Sequence, residues 1–212
     1  MAILSSFEIL VQPIIPSAVA PSGVPDPLVV QGYFLVLSNL ANSSAVSLEF
    51  TPTLLSGGKN PLASGAVPPF GAVTAFLDTT GFQFLPLAIT TSGTAKTNFN
   101  LGPGVTATFL LQPDVSPLTV FPPKPNLSYE ARGFINIAAS SGSQLLVSSQ
   151  IRGTFLQPLA SGTVTQKVSD DNASLMRSGS GLRLSSALKN NYIVVAEEAY
   201  GLPAASGSVY RF

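Results

Sequence analysis

The chain has 212 residues, and only 9% of them are Asp, Glu, Lys or Arg, against about 25% in an ordinary soluble domain. Its 10 basic and 10 acidic side chains cancel to a formal net charge of zero, which offers no basic patch for phosphates, so nucleic acid is not an expected partner. With His and Cys both at 0, Ser-His and Cys-His nucleophile pairs, histidine bases, disulfides and His-ligated zinc or iron are excluded as well.

Gly and Pro, at 18 each, fit many short strands joined by tight turns. The first element is a strand from Ile3 to Gln12, with Phe7, Ile9 and Val11 on one face and Ser6, Glu8 and Gln12 on the other. Pro13, Pro16, Pro21, Pro25 and Pro27 follow, and repeated proline makes a stiff, extended connector without ladder hydrogen bonds. Residues 1–27 therefore read as a strand plus spacer, either a donor strand (assembly arm) for another copy's sheet or an edge strand of the chain's own domain. Residues 28–212 read as one domain, more polar from about 162.

Gln31 to Phe50 reads as a hairpin at the centre of a sheet. Tyr33 to Leu37 is unbroken apolar, as in a strand covered on both faces. In the return arm Val46, Leu48 and Phe50 alternate with Ser47 and Glu49. Ala72 to Leu77 is a short strand. Phe82 to Thr90 offers Phe82, Phe84 and Leu87 to the core, but Pro86 demotes it to an edge or bulge. A second hairpin runs from Ala95 through Gly102-Pro103-Gly104 to Gln112. Its segment NLGPGVTATFLLQPD, Asn100 to Asp114, is similar to the turn-plus-strand of bacterial immunoglobulin-like modules. The third hairpin joins Gly133–Ala139 to Gln144–Leu156, and the two partly apolar faces of its second arm mark a central strand. Ser169 to Met176 is the one short helix expected, capped by Ser169 or Asp170. Tyr192–Ala196 and Ser208–Phe212 close the domain. Roughly ten to twelve strands with little helix point to an all-β, antiparallel β-sandwich of jelly-roll or immunoglobulin-like type.

No stretch carries a catalytic signature, so no enzymatic activity and no cofactor is expected. A glycosidase needs two carboxylates about 5–9.5 Å apart. The adjacent acid pairs, Asp170-Asp171 and Glu197-Glu198, do not supply this; neighbours in a strand point to opposite faces. Asp170, Asp171 and Asn172 are a candidate calcium site, although a solvated helix start explains them equally well. Gly102-Pro103-Gly104 and Gly179-Ser180-Gly181 lack the Lys-Ser/Thr of a phosphate loop.

Every apolar run is cut well before the about 18 residues of a membrane helix. The N-terminus is a poor secretory signal, with no Lys or Arg before Lys59 and Glu8 within its only apolar core; an extracellular or cell-surface location is still the expectation. Near-zero net charge favours association. The expected function is thus a structural, self-assembling subunit of a filament, sheath or shell, with copies of itself as partner and Phe7, Ile9 and Val11 as the assembly residues. The alternative is a monomeric polysaccharide- or surface-binding module, for which Tyr129, Tyr200 and Tyr210 are the aromatics to examine.

Overall fold

The computed structural model describes residues 1–14, 27–53, 62, 73–90, 94–113, 129–158, 175–177, 183–185, 192–201 and 208–212. Every regular element among them is a strand: β1 (Ala2–Pro13), β2 (Leu28–Asn39), β3 (Ser44–Pro52), β4 (Val73–Asp78), β5 (Phe82–Leu85), β6 (Ala88–Ile89), β7 (Ala95–Leu101), β8 (Thr106–Pro113), β9 (Tyr129–Ala139), β10 (Gln144–Pro158), β11 (Leu175–Arg177), β12 (Arg183–Ser185), β13 (Tyr192–Gly201) and β14 (Ser208–Arg211). β11 and β12 pair as a separate ribbon. The other twelve strands form one antiparallel sheet, curled into a half-barrel.

A single curled sheet replaces the two separate sheets expected of a sandwich, and the cause lies in β2. One edge of β2 pairs with β10 along its whole length, from Leu28 to Asn39. The opposite edge is shared in tandem: β1 pairs with Leu28–Gln31 and β8 with Tyr33–Ser38. Two ladders leaving one edge in the same direction cannot stay in one plane, so the sheet forks. One branch continues through β8, β4 and β5, the other through β1, β9, β3, β7 and β6. The buried face of β2 changes at the same place. Leu28 and Val30 are buried below the fork, then Tyr33, Leu35 and Leu37 above it, a shift of one residue at Gly32–Tyr33.

The branches are tied again at their tips. β5 ends one and β6 ends the other, and only Pro86 and Leu87 separate them. Successive Cα atoms are about 3.8 Å apart, so Leu85 and Ala88 lie at most about 11 Å from each other. That is close to the about 10 Å between packed sheet faces. Proline has no N–H to donate, so the link cannot become another rung of the ladder.

The side chains between the branches are aromatic at their centre. The Phe50 ring stacks on Phe109 at 5.6 Å, and Phe109 stacks on Phe99 at 6.3 Å. Phe7 and Tyr33 meet Phe50 edge-on, at 5.7 and 6.5 Å. The Tyr33 hydroxyl reaches across to hydrogen-bond Ser5 Oγ at 2.8 Å, just past an irregularity in β1 between Ile3 and Ser5. Burial drives the Tyr33 phenol well above its ordinary pKa, and the bond to Ser5 offsets this in part; burial alone raises Tyr129.

None of the three expected hairpins is a hairpin. β2 does not pair with β3, β7 does not pair with β8, and β9 does not pair with β10; each pair straddles the fork instead. The connecting turns are arches between branches. An arch and a hairpin turn use the same residues: Asn and Ser that bond their own backbone, and Gly at positive φ, here Gly104 at 68° and Gly142 at 81°. The arches gather at one end of the fold around Asn39, which is 1% exposed. Its Nδ2 lies 2.7 to 3.0 Å from the carbonyls of Asn42, Leu101 and Gly102, and its Oδ1 accepts from Ala41 N and Ser44 Oγ. The third arch joins through Ser140, which bonds both backbone groups of Ala45, and the C-terminal Phe212 is held there by Gly142 and Ser143.

The alternation expected in β3 is present, with Val46, Leu48 and Phe50 buried, and β10 is central, with strands on both edges. Two expectations are corrected. Phe84 is not a core residue but 64% exposed, because β5 is an edge strand whose outward positions meet no covering layer. The helix over Ser169–Met176 does not extend through its last residues, since Leu175 and Met176 pair as strand with Ser185 and Leu184; its earlier part lies outside the described residues.

Two outcomes follow from this packing. Asn39→Ala leaves three carbonyls without their side-chain donor at a buried corner and should cost about 2–3 kcal/mol, read as a lowered urea midpoint; a cost within error of zero contradicts the hub role. Unfolded tyrosine ionises near pH 10, whereas buried Tyr33 and Tyr129 resist ionisation. Stability should therefore hold level below about pH 9 and fall above about pH 10, by about 1.4 kcal/mol per pH unit for each tyrosine. An unchanged urea midpoint at pH 11 would contradict it.

Candidate functional site

Most residues singled out in the sequence lie either in the core or outside the described residues. Phe7, Ile9 and Val11 are buried within the chain's own sheet, where β1 is flanked by β2 and β9. Assembly through them would need the whole strand to leave its place, as in a swap. Tyr129 is buried, and Tyr210 is half-buried and stacked on Phe212 at 6.4 Å. Tyr200 belongs to β13, as do Glu197 and Glu198, and only the backbone of that strand is described. Asp170, Asp171 and Asn172 lie outside the described residues, among which no group of three or more acids could hold a metal ion. No helix among them is long and apolar enough to cross a membrane.

The chemistry that the fold does concentrate is on the outer face of the β1–β9–β3–β7 branch. Glu8 and Arg132 are cross-strand neighbours in β1 and β9, and Arg132 Nε lies 2.6 Å from Glu8 Oε1. The same nitrogen contacts Glu130 Oε1, two residues along β9 on the same face. The remaining carboxylate oxygens accept from amides: Glu8 Oε2 from Gln31 Nε2 at 3.0 Å, and Glu130 Oε2 from Gln12 Nε2 at 3.1 Å. Sequence alone missed this cluster because its β1 and β9 members bond across separations of 118 and 124 residues. The available signal was the even-numbered polar face of β1, which required a basic strand opposite. Two acids are drawn together, but Arg132 Nε sits between them, where a hydrolase would hold its scissile bond. A further pair, Lys96–Glu49 at 2.7 Å, lies on the same face.

Beside the cluster is an open cleft of about 570 Å³ lined by Ser6, Glu8, Thr53, Arg132, Phe134 and Ile151, among others. Gly133 underlies it. A Cβ at that position would come within 2.1 Å of the Thr51 carbonyl and 2.8 Å of the Phe7 ring, so only glycine lets β1, β9 and β3 approach this closely. A second, smaller groove of about 420 Å³ crosses β7, β3 and β9 and is lined by Ala, Ser, Asn, Val and Phe, with no titratable group.

The other exposed feature is the tip segment. From Thr79 to Ala95 there is no charged residue, and within it Phe84 and Ile89 are exposed. β5 pairs only with β4, through Ala75–Asp78, among the described residues. At the opposite margin of the same branch β10 carries β13 and β14, where Val209 is exposed opposite Leu146.

No family model, curated protein or solved structure matches this chain. The side chain of Arg132 is 64% exposed, and exposed ion pairs contribute about 0.2–1 kcal/mol. Arg132→Gln should accordingly lower stability by less than about 1 kcal/mol in urea titration; a loss of several kcal/mol would show that the cluster holds the fold.

Proposed function

We propose that the protein is a structural subunit whose copies join by β-strand addition at the charge-free tip of the β8–β4–β5 branch. The observation that carries this reading is the β5 edge. Among the described residues β5 pairs with β4 alone, and it carries an exposed Phe84 in a stretch of 17 residues without a charge. Exposed edges are ordinarily blunted by Lys, by inward charges or by covering loops. Here the Glu8–Arg132–Glu130 and Lys96–Glu49 pairs lie on the other branch, and the chain's zero net charge gives copies little mutual repulsion.

Strand parity favours an open, head-to-tail arrangement. Across the branch the order is β5, β4, β8, β2, β10, then β13 with β14, six positions with every pairing antiparallel. An even number means that a copy moved by simple translation brings its β13–β14 margin antiparallel to β5, so the alternation continues without a break. Such heterologous contacts grow into filaments or close into rings, whereas a β5-to-β5 contact would stop at a dimer. In this reading the curled sheet is the jelly-roll-like building block and β1 stays within its own chain. Association rests on main-chain bonds and apolar burial at about 25 cal/mol per Å², with little dependence on salt.

Phe84→Lys places a charge on the edge at a position that is already exposed, so the fold should be retained. Sedimentation velocity should show wild-type species that grow with concentration and a discrete monomer for the variant, with matching circular dichroism. Equal assembly by the variant, or a wild-type protein that is monomeric at every concentration, contradicts the proposal.

A further inference from the structure

Arg132 is held in place by two carboxylates yet uses only Nε to meet them. Its two terminal Nη groups carry no protein partner among the described residues, and the side chain is 64% exposed. Four N–H donors are therefore fixed in direction and still unspent, at the wall of the cleft that Glu8 also lines. Next along β9, Phe134 is 42% exposed and lines the same cleft, with the hydroxyl-bearing Ser6 and Thr53 around it and Ile151 opposite. The volume, about 570 Å³, falls within the about 300–1,000 Å³ of small-molecule sites.

We propose that this cleft between β1, β9 and β10 binds a neutral carbohydrate. A sugar's vicinal hydroxyls each donate and accept, so a pair of them fits an acceptor next to a donor, which is what Glu8 beside Arg132 provides. The apolar C–H face of a pyranose matches the exposed face of Phe134. Glu8 and Glu130 against Arg132 leave the cluster one negative charge in excess, which turns away anionic ligands such as uronates and phosphates. Because Arg132 is already immobilised between its partners, little side-chain entropy remains to be lost on binding. The cleft lies away from the β5 edge although its Ile151 is on β10, which carries the β13–β14 margin, so Phe84→Lys separates a failure of this proposal from a failure of the proposed polymerisation.

The test is calorimetric titration of the full chain, kept dilute, with cellohexaose and xylohexaose as neutral probes and hexagalacturonate as the anionic one. Phe134→Ala and Arg132→Gln are compared with wild type, and Phe84→Lys serves as a monomeric control. The expected result is binding of at least one neutral probe with Kd below about 1 mM, weakened at least tenfold by each cleft variant and unchanged by Phe84→Lys. No binding by either neutral probe, equal binding by the cleft variants, or hexagalacturonate binding as tightly as the neutral probes would overturn it.

Discussion

Two ladders share one edge of β2, and the rest of the molecule is arranged around that constraint. Because β1 takes Leu28–Gln31 and β8 takes Tyr33–Ser38, the sheet must divide, and its two branches bring apolar faces toward each other. The ring contacts from Phe7 through Phe50 and Phe109 to Phe99 fill the space so created. Truncating a buried Phe costs about 3–5 kcal/mol, a large share of the 5–15 kcal/mol that holds a typical domain. The fork and the aromatic core are thus mutually dependent. Without the fork the rings have nothing to face, and without the rings the branches have little reason to close. The tie at Pro86-Leu87 and the polar corner at Asn39 then fix the branches at both extremes.

The local pattern of the chain was legible and its pairing was not. Alternation in β1 and β3 named the buried residues correctly, since a half-buried strand must show one face to the core. The unbroken run Tyr33 to Leu37 signalled a strand covered on both sides; Tyr33, Phe34, Leu35 and Leu37 are buried and Val36 is half-buried. Partner choice is a different matter. The turns after Asn39, Leu101 and Ala139 have the residues of tight hairpins, but an arch to the facing branch demands the same left-handed glycines and self-bonding Asn and Ser. Short-range chemistry cannot separate the two. Phe84 shows the opposite limit: its apolarity suggested the core, and only its place on an edge strand explains its exposure. The Glu8–Arg132–Glu130 cluster was invisible for the same reason as the fork, because it depends on the register between β1 and β9.

Charge is distributed as unevenly as it is scarce. The outer face of the β1–β9–β3–β7 branch holds the Glu8–Arg132–Glu130 and Lys96–Glu49 pairs, together with the cleft beside Phe134. The other branch ends in an edge with no ionic group between Thr79 and Ala95. One side thus carries directional polar contacts suited to a small, hydroxylated ligand, and the other carries main-chain hydrogen-bonding groups beside apolar side chains suited to another strand. On the proposed reading, this division would let a charge-poor chain join to its copies while leaving its polar face open.

Amide hydrogen exchange at Gln83, Phe84 and Leu85, followed from dilute to concentrated solution, bears most directly on the strand-addition account. Backbone N–H groups on an open edge exchange quickly and become protected when another strand covers them. Protection of these amides that rises with protein concentration, and changes little with salt, is the predicted result. Exchange at the same rate at every concentration would contradict it.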